Sequence, residues 1–226
     1  MAQSEAVVAQ QSSAKPISRR TYNLITFGLV TLSFIATYFL YNSATNGFLH
    51  ELDAKMNPIL SLVLYLAGSI GGLVAMNMGK TRQNLTLTII GYALFTLTFG
   101  GTLAKVLTRY NIGTIYNAFA ITACIAGIFL IAGVIFPEFF SRIGGVIAAG
   151  LFGLLIAELL AIFVFHVDQT FLDIIAIALF GGCLGLYSYR MGVDEPTVPN
   201  AFFYAANIYL AIVNILLRVL RLTNKR

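Results

Sequence analysis

Seven apolar runs, each close to the length of a membrane crossing, constrain this chain more than any other feature. They fall at roughly 22–41, 58–78, 84–108, 113–136, 142–165, 170–190 and 199–221. A helix needs about 20 apolar residues to cross the hydrocarbon core. Backbone in lipid must satisfy its own hydrogen-bonding groups, so each run is read as a helix. The two-residue alternation of a membrane barrel is absent. Of the 226 residues, 58% are hydrophobic and 10% charged, more apolar surface than a soluble fold of this length can hide. The expected fold class is an all-α integral membrane protein with seven transmembrane helices. A soluble enzyme, a disordered regulator and a secreted disulfide scaffold are excluded.

Residues 1–20 are polar and aperiodic and are expected to form a disordered tail, with 21–226 the seven-helix transmembrane domain. The first run follows a long tail and lacks a small-residue cleavage site, so a retained span is expected rather than a cleaved signal peptide. Pro58, Pro137, Pro196 and Pro199 sit at run ends or in loops, and the longest loop is 42–57. With the N-terminus inside, the inner side carries Lys15, Arg19, Arg20, Lys80, Arg82, Arg142 and Arg190. The outer side carries Lys55, Lys105 and Arg109, together with Arg218, Arg221, Lys225 and Arg226 at the C-terminus. The body of the chain thus follows the positive-inside rule and the C-terminal cluster opposes it. The last run is long enough for a full crossing, which is the expectation, with entry and return as the other possibility.

Polar residues inside the runs are costly, which makes their placement informative. In the last run Asn200, Tyr204, Asn207, Ala211, Asn214, Arg218 and Arg221 are spaced by alternating fours and threes and share one helical face. Such a stripe cannot face lipid, so the last helix is expected at the centre of the bundle. The stripe serves either interhelical hydrogen bonding or a lined pathway. Thr98, Thr102, Lys105 and Arg109 form a shorter stripe, for which snorkelling to the interface is the simpler account. Glu158 is the deepest acid, and its helical neighbours offer no partner. Lys105 or Arg218 is expected to pair with it, as a structural pair or as a proton-linked group. Gly68 with Gly72, and Gly181 with Gly185, mark close helix packing.

Motifs for chemistry are missing. Cys124 and Cys183 lie inside apolar runs and read as packing residues. His50 and His166 stand at run boundaries, far from any metal-ligand spacing. There is no zinc-protease motif, nucleophile elbow or phosphate loop. No catalytic residue, cofactor, metal site or nucleic-acid partner is expected; the lipid bilayer is.

The order of segments resembles the Bax-inhibitor-1 family over roughly residues 58–222. GTIYNAFAITACIAGI (113–128) and FSRIGGVIAAGLFGLLIAELLAIF (140–163) are similar to the family's fourth and fifth spans, and NIYLAIVNILLRVLR (207–221) carries the strongest likeness. Tyr209, Leu210, Asn214, Leu220 and Arg221 match that pattern without gaps. The resemblance implies a seven-helix bundle with the last helix central, in agreement with the stripe. It also implies a pair of aspartates proposed in bacterial relatives to sense pH and gate a calcium leak. Here those two positions are Ser188 and Ala211.

Two readings of function follow. One is a cation leak, calcium by resemblance, with altered or absent acid-pair gating and a polar pathway or gate among Asn207, Asn214, Arg218, Arg221, Glu158 and Lys105. The other is a non-conducting regulator of a membrane partner, such as the membrane-bound ATP-dependent protease that some bacterial relatives are thought to bind. A transporter ranks below both, because no inverted repeat is evident. The resemblance to short bacterial members favours a bacterial cytoplasmic membrane, N-terminus inside.

Overall fold

A computed structural model of the chain describes residues 15–161 and 169–224, apart from the side chains at 52, 53 and 58. Among them are eight helices and no strand. In chain order these are α1 (Arg19–Asn46), α2 (Phe48–Lys55), α3 (Pro58–Thr81), α4 (Leu85–Leu107), α5 (Ile112–Ile135), α6 (Pro137–Leu160), α7 (Thr170–Val193) and α8 (Val198–Asn224). All but α2 are long and apolar enough to cross a membrane. The chain is an all-α integral membrane protein.

Helix starts follow local chemistry. Ser18, Asn57, Asn84 and Asn111 each turn a side-chain oxygen onto a backbone N–H of the first turn of α1, α3, α4 and α5. Such caps satisfy donors that the helix itself cannot. Pro58 and Pro137 occupy first-turn positions, where a missing N–H costs nothing.

Three boundaries differ from the sequence reading. Arg19 and Arg20 belong to α1 rather than to the tail, and Ile17 N–H donates to the Pro196 carbonyl at 2.8 Å. The 42–57 loop is largely helical: α1 continues to Asn46, Gly47 closes it by donating to Ser43 O, and α2 follows at once. A reading based on the length of apolar runs could not see α2, whose residues are mixed in polarity. The fifth span begins at Pro137, so Arg142 lies within it. The predicted end of that span, with His166, lies outside the described residues, as do residues 1–14 of the tail and Lys225 and Arg226.

The residues group into two compact units. The first comprises the chain up to Arg109 with Glu195–Ala206. In it α4 packs on both α1 and α3. Close approach to α3 requires glycine: a Cβ on Gly72 would come 2.6 Å from Phe95 N and 2.7 Å from Gly91 O. α1 presents Tyr22, Thr26, Val30, Ser33 and Thr37 as its buried face. The Tyr92 hydroxyl of α4 donates to Leu29 O at 2.6 Å and lies 2.6 Å from Ser33 Oγ.

The second unit comprises Tyr110–Asp194 with Asn207–Arg226. Here α7 packs on both α5 and α6. A Cβ on Gly133 would strike the Gly185 carbonyl, and one on Gly185 would strike the Phe140 ring. The small residues singled out in the sequence are thus where the helices meet.

α8 is one unbroken helix of 27 residues. At about 1.5 Å per residue it is long enough to span the bilayer, as a full crossing requires. It is also the most deeply buried span. Of its most apolar stretch 61% is buried, against 50% for α4, 44% for α7 and 22% or less for the other four. That burial keeps its polar stripe away from lipid.

Candidate functional site

The second unit gathers charge at one end of three helices. Glu158 lies near the described end of α6, Asp173 in the first turn of α7, and Arg218 and Arg221 near the end of α8. Arg218 Nη1 contacts Glu158 Oε1 as an ion pair and donates to Asp173 Oδ1 at 3.2 Å. Arg221 Nη2 donates to the same Oδ1 at 2.5 Å, and its Nη1 donates to Gln169 Oε1 at 2.8 Å. Asp173 is 1% exposed, and the Arg218 side chain 11%. Two carboxylates and two guanidiniums balance formally. Each charge has an opposite charge beside it, the first condition for charge in an apolar setting, whereas Glu158 Oε1 and Arg221 Nε make no hydrogen bond. Of the two partners expected for Glu158, Arg218 is the one found.

Asp173 and Gln169 were not among the candidates read from sequence. Asp173 carried a usable signal: an acid at the start of a run that the topology puts on the same side as the end of the last run. Gln169 carried none, because a glutamine at a span boundary is commonplace.

The rest of the stripe behaves differently. None of its members is exposed. Asn214 Nδ2 donates to Leu210 O of its own helix at 2.8 Å, and Asn207 is half-buried. In the first unit Tyr204 receives Lys80, whose Nζ lies 3.4 Å from the hydroxyl and 4.4 Å from the Phe203 ring centroid. Lys105 also belongs to the first unit, where its Nζ donates to Ser61 Oγ at 2.7 Å and sits 3.9 Å from the Tyr65 ring centroid.

The two positions where the resemblance places aspartates carry no charge. Ser188 Oγ donates to the Leu130 carbonyl at 2.8 Å, and Ala211 is fully buried. Among the described residues no group of three or more His, Cys, Asp or Glu side chains is arranged to hold a metal ion.

A model of the family described as "Inhibitor of apoptosis-promoting Bax1" matches residues 15–226. The chain is similar to the "Golgi anti-apoptotic protein" of Vaccinia virus (strain Lister), with 26% identity over 209 residues, covering 88% of this chain and 84% of the viral protein. It is also similar to "Protein lifeguard 4" of Mus musculus, with 24% identity over 206 residues, covering 90% and 82% respectively. No solved structure matches. A family match that spans nearly the whole chain, together with seven apolar helices, leads to one conclusion: the chain belongs to the Bax inhibitor-1 family of multi-pass membrane proteins.

Proposed function

We propose that this chain is a non-enzymatic cation leak gated by the Glu158, Asp173, Arg218 and Arg221 cluster, in place of the acid pair its relatives carry. Asp173 is the observation that carries the reading: a carboxylate 1% exposed, among apolar helices, held by two arginines. Ionisable groups in such a setting are expensive and mark ion pathways more often than packing. A cation reaching the cluster competes with the arginines for oxygens of Asp173, Glu158 and Gln169, the ligand type that calcium prefers. Arg221, at 35% exposure the most accessible member, is the group that moves aside.

Calcium flux from proteoliposomes across pH tests this. Arg221→Gln should raise flux several-fold, and Asp173→Asn should bring it to the level of empty vesicles. Wild-type flux no greater than that of empty vesicles would remove the reading.

The name of the viral relative, a Golgi anti-apoptotic protein, favours a second reading. In it the chain is a non-conducting regulator of a membrane partner, a membrane-bound ATP-dependent protease being one such partner. Crosslinking with and without residues 1–20 tests it; a silent proteoliposome assay together with a specific captured partner would select it. The pairing of Arg218 and Arg221 with acids supports the N-terminus-inside reading. Setting those two aside leaves seven inner bases against five outer ones, Lys55, Lys105, Arg109, Lys225 and Arg226. A bacterial cytoplasmic membrane remains the proposed location, checked by fractionation of the source cells.

A further inference from the structure

Within the first unit, α3 and α4 touch at Gly72 and Gly91 but leave a cavity of ≈ 420 Å³ toward the start of α3 and the end of α4. That volume lies within the roughly 300–1,000 Å³ of small-ligand sites. The polar groups lining it are Ser61 and Tyr65 from α3, Thr102 and Lys105 from α4, and Arg109 just beyond the end of α4. Among the described residues that line it there is no acid.

The two bases are four residues apart and both line the cavity. Lys105 is positioned from the opposite helix, by the Ser61 hydroxyl and the face of Tyr65. Arg109 is exposed at the mouth. Leu62, which also lines the cavity, is 54% exposed, so the basic lining runs directly into the lipid-facing side of α3. Two cationic groups repel a metal ion and favour an anionic guest. Hydroxyls and cations around a small volume suit phosphate oxygens. The lipid-facing wall suits a phosphate that carries acyl chains. We infer that this cavity binds the phosphate headgroup of an anionic phospholipid. Its acyl chains lie along the exposed apolar face of α3.

The test uses the delipidated full chain in detergent, titrated with phosphatidylglycerol, with phosphatidylcholine of the same acyl chains, and with inorganic phosphate. Bound lipid is read by native mass spectrometry, and stabilisation by thermal shift. Phosphatidylglycerol should bind in preference to phosphatidylcholine. Arg109→Gln should weaken it about fivefold, and the double variant K105Q/R109Q on the order of 25-fold. Arg142→Gln, which removes the same charge from the second unit, should leave binding unchanged. Arg109 lies beyond the helix end and is exposed, so its variant should fold even if the Lys105 variant does not. Equal binding of the two lipids, or no loss in Arg109→Gln, would overturn the inference. Stabilisation by inorganic phosphate alone that Arg109→Gln abolishes would overturn it in favour of a free-anion site.

Discussion

Arg221 reaches Asp173 at 2.5 Å across 48 residues of sequence, and the acid is 1% exposed while the base is 35% exposed. The neighbouring Arg218 is more buried and serves two acids, Asp173 and Glu158. The ends of α6 and α8 and the start of α7 are therefore tied through one guanidinium, with the second guanidinium at the edge. The two arginines share a helix face and a partner, yet their removal should have different consequences.

Arg218→Met should lower stability by about 3–5 kcal/mol, because it leaves Glu158 without its arginine and weakens the hold on a buried Asp173. Arg221→Met should cost less than half of that, since Asp173 keeps Arg218. Thermal unfolding of both variants in one detergent checks this, and an equal loss for the two would contradict it.

Gly133 and Gly28 give a paired test of helix contact. A Cβ at Gly133 meets the Gly185 backbone, which cannot swing aside, whereas a Cβ at Gly28 meets nothing within 4 Å. Gly133→Ala should destabilise by about 1–3 kcal/mol. Gly28→Ala should be neutral or stabilise by up to about 1 kcal/mol through helix propensity. Unfolding of the two variants side by side reads the difference in sign.

Tyr92 donates to Leu29 O and touches Ser33 Oγ, both at 2.6 Å, so its hydroxyl ties α4 to α1. Tyr92→Phe should cost about 1 kcal/mol, as for other hydrogen bonds between membrane helices. Tyr116→Phe, at a position 72% exposed, should cost nothing measurable. The difference in melting temperature between the two variants is the readout.

The turn between α3 and α4 holds Gln83 at φ 49°, and among the described residues it is the one non-glycine residue with positive φ. Its Nε2 donates to Lys80 O at 2.8 Å, which holds the turn in place. A β-branched side chain fits this region poorly and asparagine fits it well. Gln83→Ile should therefore destabilise by about 1–3 kcal/mol and Gln83→Asn by much less, as judged by denaturant or thermal unfolding.

The spans were legible because lipid imposes one length and one secondary structure on each apolar run. Glycine contacts were legible for a related reason, since small residues at helical spacing have few other uses in a membrane. α2 was not legible: its eight residues mix polar and apolar types without a period that separates helix from loop. The polar stripe of α8 pointed to its burial, but the stripe does not act as one unit. Asn214 turns back on the Leu210 carbonyl of its own helix, while Arg218 and Arg221 reach other helices. Spacing tells which residues share a face; it does not tell which of them find a partner across it. Asp173 shows the limit most clearly: the topology puts it on the same side as the end of the last run, but only the fold shows which base it meets.

Ser188 donates a hydrogen bond to the Leu130 carbonyl, and Ala211 has no exposed surface. A carboxylate restored at 188 would set acceptor against acceptor, and one restored at 211 would have to displace packed neighbours. Either acid introduced alone is worse accommodated than the residue it replaces. An aspartate pair at these two positions would therefore need compensating changes around Leu130 and around the buried face of α8 before it lowered the energy of the fold.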